Sequence, residues 1–575
     1  MPQNEVADFL AQLAEREFAA AQAEVDRLTY PAHAIFLIEA CRVFDYRHVL
    51  QFISRNPENR LPDFEFDIIV RGWNPLLGML LPHIREMGGI PAMESTAEFR
   101  SFVLSILHTL GKAALLRENA RMMVHGMAEG TIEHQTISLR MSARCNLDHF
   151  LDRLEGDQLK RLEQTWPGGG RFEQLINDSR IVDLDARMDA LLFPWKPNDR
   201  VTMVGYGAEP DIDAHYLALV TECTASGRDD AGIHPEAQFG GVSGNDLCLI
   251  VFMITSFYLK HIRFVDRGKA KYPDVNYPMS LTIWKSRREL VSSISTYTGL
   301  GLDTVSRTID LLTVKAKHHA YFLEEPTMFI PMLIELSDDY LLAPVSSVFR
   351  NPFHGIRALY EWSSGPSSAS MRAPRERWMT SELYNLFLGP RYECMKNPTR
   401  LSRKGSTVTD VDAAIFDRST GELALFQLKW QDFSSNDVSK QRSRAKNFVE
   451  KVDSWAAQTE AWVSEFGEDA LLQALRFSAA GQGQIEVRLF AIGRSAARFR
   501  SYGYVAQNPR VAAAAWRQFI RLRYEIGPSP NVFADLHSAI QSEQARPVAR
   551  TAVRQEMKVG DYTIVFEDLW NQFDN

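Results

Sequence analysis

Thr409-Asp410-Val411-Asp412-Ala413-Ala414-Ile415-Phe416 runs into the turn residues Asp417-Arg418-Ser419-Thr420-Gly421, and the chain resumes as Leu423-Ala424-Leu425-Phe426-Gln427-Leu428-Lys429-Trp430. Two apolar runs of strand length around a polar, glycine-containing turn predict a β-hairpin. The second run is apolar until Gln427, so polar side chains enter where a strand should be leaving the core. Side chains alternate along a strand, which puts Gln427 and Lys429 on one face and Phe426 and Leu428 on the other. The hairpin brings Asp412 to the polar end. A carboxylate, an amide oxygen and an ammonium are therefore expected together at one sheet edge.

Working outward, Arg375 to Leu388 has helical periodicity, Lys440 to Phe466 predicts a long helix, and Ile485 to Ile492 predicts a further strand. Helix, strand pair, helix and strand make an α/β layout. The stretch Ser363-Ser364-Gly365-Pro366-Ser367-Ser368-Ala369-Ser370 has the composition of a flexible linker, so an α/β domain is expected over 371–575.

The expected fold is multidomain, with mainly α regions preceding this domain: a helical domain over 1–195 and a mostly helical middle domain over 196–362. The first has helical apolar stripes from Glu5 to Leu28, Ile35 to Ile53, Phe64 to Met87 and Phe99 to Met123. Thr131 to Met141 alternates like one short strand. Trp166-Pro167-Gly168-Gly169-Gly170 and Pro194 to Asp199 are expected breaks; no Gly-Lys-Ser/Thr follows the glycines, so they are a turn and not a phosphate loop. In the middle region, Leu290, Val291 and Ile294 lie on one helix, Thr298 to Gly301 turns, and Val305, Ile309 and Leu312 lie on a second. This outline fits either a helix-turn-helix or a plain helical hairpin. In the first case Thr304, Ser306 and Arg307 lead the recognition helix, with wing strands expected between Tyr321 and Leu342, which would make a winged helix.

The chain of 575 residues is 45% hydrophobic and 24% charged, enough to bury several cores. The opening residues lack the basic and apolar stretches of a secretory signal. The longest apolar run, Leu247 to Leu259, falls short of the roughly 20 residues that span a bilayer and is expected in a core, with no membrane partner. Cys41, Cys145, Cys223, Cys248 and Cys394 form no CxxC pattern, which argues against a zinc site or disulfide framework and for a cytoplasmic setting. The net charge of -8 is uneven: residues 371–575 carry +4 and the rest -12. The positive side coincides with the hairpin, as phosphate binding requires. HExxH, Gly-x-Ser-x-Gly and Walker patterns are absent, and His318-His319 stands isolated.

Phosphodiester hydrolysis needs hard oxygen ligands for a magnesium ion and a cation beside the attacking water. Asp412 can bind the ion directly, the Gln427 oxygen and the Leu428 carbonyl can complete the protein ligands, and Lys429 can act at the nucleophile. With glutamine in place of an acid, affinity for Mg2+ (or Mn2+) leans on Asp410 or a helix acid. These residues resemble the PD-(D/E)xK nuclease superfamily, in its Gln-x-Lys variant found among type IV restriction endonucleases and related prokaryotic defence nucleases. The resemblance covers about 375 to 495; proline before the acid and glutamate before x-Lys are lacking.

The resemblance implies a restriction-endonuclease-like fold, a metal-dependent endonuclease acting on DNA, with RNA as the other polymer, and a further acid on the preceding helix. Glu382 is preferred for that acid over Glu376. It also implies that the following helix, with Lys440, Gln441, Arg442, Arg444 and Lys446, flanks the site; a solvated basic face explains the same residues. Arg494, Arg498 and Arg500 are expected to position phosphates. A homo-oligomer is compatible with the N-terminal regions. The competing reading is a nuclease fold without activity that binds nucleic acid or serves as a scaffold.

Overall fold

The computed structural model describes residues 3–29, 31–53, 57–84, 93–142, 183–325, 328–364, 369–430, 437–478, 485–494, 503–544 and 552–571. They form two compact units, one drawn from 1–120, 170–371 and 557–563, the other from 121–169, 372–556 and 564–575. The chain is helix-rich toward its N-terminus and mixed α/β toward its C-terminus. The glycines at 168–170, Arg498, Arg500 and the centre of the linker stretch, 365–368, lie outside the described residues.

In the first unit the apolar stripes become helices at Gln3–Asp26, Ala32–Phe52, Asp63–Arg71, Trp73–Leu80 and Ala97–Val124. The stripe that begins at Phe64 is divided at Gly72, where the chain crosses the helix Ala97–Val124. A Cβ on Gly72 would lie 1.9 Å from the Leu107 carbonyl oxygen, and one on Gly111 would lie 1.8 Å from that of Ile68. Only glycine allows backbones this close. Asp45, fully buried on Ala32–Phe52, accepts from the Thr282 hydroxyl (2.6 Å) and the Ser346 amide (2.8 Å), tying this helix to segments 237 and 301 residues later.

Local expectations need correction at two places. Pro194 to Asp199 is not a break: Leu192–Asn198 is a strand paired antiparallel with Val201–Tyr206. Proline cannot donate to a ladder, but in a two-stranded ribbon one side of each strand needs no donor. Thr131 to Met141 is not one strand but a hairpin, Ala128–Glu133 against Thr136–Met141, with His134 at φ 55° in the turn. This hairpin belongs to the second unit, where the Met141 amide donates to Asp568 Oδ1 (2.6 Å).

The apolar run Leu247 to Leu259 lies in the helix Gly244–Lys271, whose first turn is capped by Ser243 accepting from the Asp246 amide. This helix and Ala97–Val124 are long and apolar enough to cross a membrane, and 78% of the apolar window of Gly244–Lys271 is buried inside the protein. The helix pair is present as Arg287–Thr298 and Leu302–Leu312, joined through Gly299 at φ 72°, with Leu290, Ile294, Val305, Ile309 and Leu312 buried. Around it Ile283–Ser286, Tyr340–Ala343, Leu333–Glu335 and Thr313–Val314 form a sheet in that order. The expected wing segment thus opens with a helix, His319–Glu324, before its two strands.

The second unit supplies the elements used below: α1 (Ala369–Asn385), β1 (Tyr392–Cys394), β2 (Thr399–Arg403), β3 (Ser406–Val411), β4 (Ala413–Asp417), β5 (Glu422–Lys429), α2 (Val438–Phe466), α3 (Glu468–Leu475), β6 (Glu486–Gly493), β7 (Val511–Ala515), α4 (Trp516–Ile526) and α5 (Val532–Gln544). The main sheet has the order β1-β4-β5-β6-β7; β4 is antiparallel to β1 and β5, and β6 is parallel to β5 and β7. One face, with Ala414, Phe416, Leu423 and Leu425, packs under α2 through Phe448, Val452 and Trp455. The other, with Ala413, Ile415, Ala424, Phe426 and Leu428, packs against Met379 and Leu383 of α1 and against α4 and α5. Burial on both faces is why β5 is apolar almost throughout. Asp417 builds the β4–β5 turn: it accepts two bonds from Arg391 Nε (3.0 and 2.9 Å) and caps the Ser419 amide (2.9 Å).

Candidate active site

Asp412 occupies the point where the chain changes sheets. β3 pairs with β2, β4 pairs with β1 and β5, and Asp412 is the residue between them, its amide donating to the Phe426 carbonyl (3.2 Å). Past that bond no described strand pairs with β5 on the β4 side. There the Leu428 amide donates to Asp412 Oδ2 (2.8 Å), Gln427 Nε2 donates to the same oxygen, and Lys429 Nζ lies 3.7 Å away. The amide and carbonyl of one strand residue point to the same side. The Leu428 carbonyl therefore also faces the open position beside Asp412, while the Lys429 carbonyl accepts from the Arg494 amide of the β6 side (3.0 Å).

The hairpin thus brings Asp412, Gln427, Leu428 and Lys429 together, on the sheet face and at the strand end that alternation predicts. Gln427 is 3% exposed, whereas the Asp412 and Lys429 side chains keep 25% and 36% of their surface. Burial raises the Asp412 pKa; the Lys429 ammonium and the Leu428 amide pull it down, and the charges of Asp410 and Glu376 push it up. Asp410 is exposed at the end of β3, its carbonyl taken by Trp455 Nε1 (2.7 Å).

The helix acid with an electrostatic hold on Asp412 is Glu376. Glu382 is ion-paired with Arg494. Arg494 itself is buried, its side chain 8% exposed, and its guanidinium lies 4.5, 5.5 and 5.6 Å from the ring centres of Trp430, Trp516 and Trp378. So placed, it braces α1 against the strand ends and cannot also reach a phosphate at the surface, which corrects its expected role. Sequence reading could find Glu376 only as one of two acids on α1; the tryptophan cage has no sequence signal, because its members come from four separate segments.

The basic residues of α2 divide. Asp437 caps the helix, accepting from the Ser439 and Lys440 amides (2.9 and 3.2 Å). Lys440 is exposed and Gln441 and Arg444 are half-buried on the same first turns. Arg442 turns to His125, its Nη1 3.3 Å from Nδ1, while His125 Nε2 meets Ser439 Oγ (2.9 Å). His125, far in sequence from the segments singled out as functional, entered no sequence argument; burial lowers its pKa, with the Arg442 charge second.

Arg307, the other proposed nucleic-acid contact, is half-exposed on Leu302–Leu312, 3.9 Å from Asp303. It also donates from Nε to the Asp303 carbonyl (3.4 Å), while Asp310 on the same helix is taken by Arg287 (2.8 Å) and Lys315 (2.9 Å).

Among the described residues no three His, Cys, Asp or Glu side chains converge as a ready-made metal cage. The donor set at Asp412 is instead one carboxylate, one amide side chain and one backbone carbonyl, all hard-oxygen groups suited to a small divalent cation. No family model matches this chain, and neither do any curated proteins or solved structures.

Proposed function

We propose that the C-terminal unit is a metal-dependent nuclease of the PD-(D/E)xK type, in its Gln-x-Lys form, hydrolysing phosphodiester bonds of DNA in prokaryotic defence. The observation that carries this reading is the convergence of Asp412, Gln427, the Leu428 backbone and Lys429 where β5 outruns β4. The sheet supports it, because β5 continues past its last pairing with β4 while staying paired with β6 as far as Lys429.

Asp412, the Leu428 carbonyl and the Gln427 amide oxygen would hold Mg2+ or Mn2+, with Glu376 or Asp410 adding charge from the rim. When bound, the ion supplies Lewis-acid polarisation of the phosphate and a more acidic water. Lys429 holds its ammonium within 3.7 Å of Asp412, close enough to orient a water and offset charge growing on the phosphate. The Asp410 and Glu376 charges make the site favourable for a cation, and the Gln427 amide fixes the Asp412 rotamer. Lys440, Gln441 and Arg444 on the first turns of α2 would meet the polymer backbone, as point charges and donors without base reading.

Incubation of supercoiled plasmid with magnesium or manganese tests this directly. Wild-type protein is expected to nick or linearise it, and the Asp412→Ala and Lys429→Ala variants are expected to do neither. Undiminished cleavage by both variants would remove the assignment from this site. A wild-type protein that binds nucleic acid and never cuts it would favour the binding-module reading.

A further inference from the structure

The first unit contains a cavity of about 440 Å³ that the nuclease reading does not use. Its size is that of small-molecule sites. It lies between the ribbon Leu192–Asn198/Val201–Tyr206, the helix Gly244–Lys271 and the first helix of the pair, Arg287–Thr298. We propose that this cavity binds one nucleotide unit, its base against an aromatic wall and its phosphate at Lys285.

The wall is made by Trp195, Trp284 and Tyr297. Trp195 is 40% exposed and Tyr297 52%, unusual for aromatic side chains in a cavity lining. Tyr297 is fixed all the same: its hydroxyl donates to Asp213 (3.2 Å) and its ring meets Phe257 edge-on, with centroids 6.0 Å apart. A rigid, half-exposed ring offers a stacking surface at little entropic cost, and bases stack on such rings whatever their sequence.

The polar groups fit the other parts of a nucleotide. Asp213 and Lys260 form an ion pair inside the cavity, their side chains only 10% and 12% exposed. A buried ion pair contributes little to stability relative to apolar packing, so its presence among aromatic rings points to a ligand that uses it. Asp213 keeps acceptor capacity for the ring N–H or amino group of a base. Lys285 lines the same cavity and reaches the surface; burial and the Lys260 charge press on its ammonium, the Glu289 charge only partly offsets them, and an anion between Lys285 and Lys260 would relieve both. His261, also in the lining, is occupied on both nitrogens by the Tyr206 hydroxyl (2.8 Å) and the Ser280 carbonyl (2.7 Å), so it holds the wall and does not bind.

The nucleotide can arrive free or as a residue extruded from a strand, and the same chemistry recognises both. The test uses full-length protein in EDTA, where metal-dependent cleavage is silent. Tryptophan fluorescence is followed during titration with AMP, GMP, CMP and TMP, with inorganic phosphate and adenosine as partial ligands. A duplex carrying 2-aminopurine is added as a separate arm. At least one mononucleotide is expected to quench, or the duplex reporter to brighten; the first identifies a free ligand and the second an extruded one. Trp195→Ala and Lys285→Ala, both at exposed positions, should each weaken binding about tenfold without shifting the melting temperature. Absence of both signals at millimolar nucleotide, or signals untouched by these two substitutions, overturns the proposal.

Discussion

Asp45 in the first unit and Asp412 in the second are both carboxylic acids that burial pushes above the ordinary range, Asp45 to about 6. They are used in opposite ways. Asp45 has no exposed surface, and a hydroxyl and an amide of distant segments occupy its oxygens. Asp412 keeps a quarter of its side-chain surface, gathers its donors on Oδ2 alone, and has the Asp410 and Glu376 charges pressing on it. A saturated buried acid holds segments together; an unsaturated one that still faces water has room for a further partner.

The sharpest way to break this comparison is to remove the charged groups of the second site. Lys429→Ala leaves Asp412, Gln427 and the Leu428 carbonyl in place, so plasmid cleavage should fall by on the order of 10³-fold while magnesium and DNA binding survive. Cleavage within a few-fold of wild type would mean that Lys429 is only a surface lysine.

Removing each acid should affect stability in the reverse order. Asp45→Ala strands the Thr282 hydroxyl and the Ser346 amide in the core and should cost about 3–5 kcal/mol in urea unfolding. Asp412→Ala also releases two donors, Gln427 Nε2 and the Leu428 amide, but at a position a quarter open to water, so it should cost less, about 1–2 kcal/mol. Equal costs would make Asp412 a structural acid as well.

The first unit also carries buried histidines held neutral. His48, whose Nδ1 donates to the Phe44 carbonyl (2.9 Å) and whose buried Nε2 has no hydrogen-bond partner, is pushed down to about 3, and His261 to about 4, in both cases by burial first. Both contributions are complete above pH 6.5 and are lost as pH falls toward the folded values. Asp45, raised to about 6, acts in the other sense: the folded state binds its proton more tightly, so protonation below pH 6 returns part of that stability. With buried His318 also held at about 4, the net loss from pH 7 to 5 should be roughly 4 kcal/mol, and His48→Gln should remove about 2 kcal/mol of it. Melting at the two pH values, with near-constant stability as the contrary result, checks this.

A smaller change is expected at Gln427. Gln427→Glu adds the missing acid and should tighten magnesium binding about tenfold in titration, with cleavage retained or raised. Weaker binding would show that the amide is there to donate to Asp412. Least of all is expected from Arg307→Glu, because that arginine already leans on Asp303 of its own helix. A change in DNA affinity beyond about threefold, with a flattened salt dependence, would restore the helix pair as a DNA-binding element.

What the sequence determined by itself is the hairpin and its polar end. Alternation with period two and a turn of Asp417 to Gly421 are local properties, so the shared face of Gln427 and Lys429 and the arrival of Asp412 beside them were legible from 22 consecutive residues, 409–430. The long helix after it and the strand Glu486–Gly493 were legible for the same reason. Tertiary structure alone decided which acid of α1 acts on the charge of Asp412. Glu376 and Glu382 are six residues apart and so point away from different sides of the helix; packing of Met379 and Leu383 on the sheet, with Arg494 capturing Glu382 in a cage of three tryptophans, leaves Glu376 to act on Asp412. It also decided the change of sheet at Asp412, the close crossing at Gly72 and Gly111, and the cavity beside Lys285. Each of these depends on backbone or side chains brought together from far along the chain, where no local periodicity carries the information.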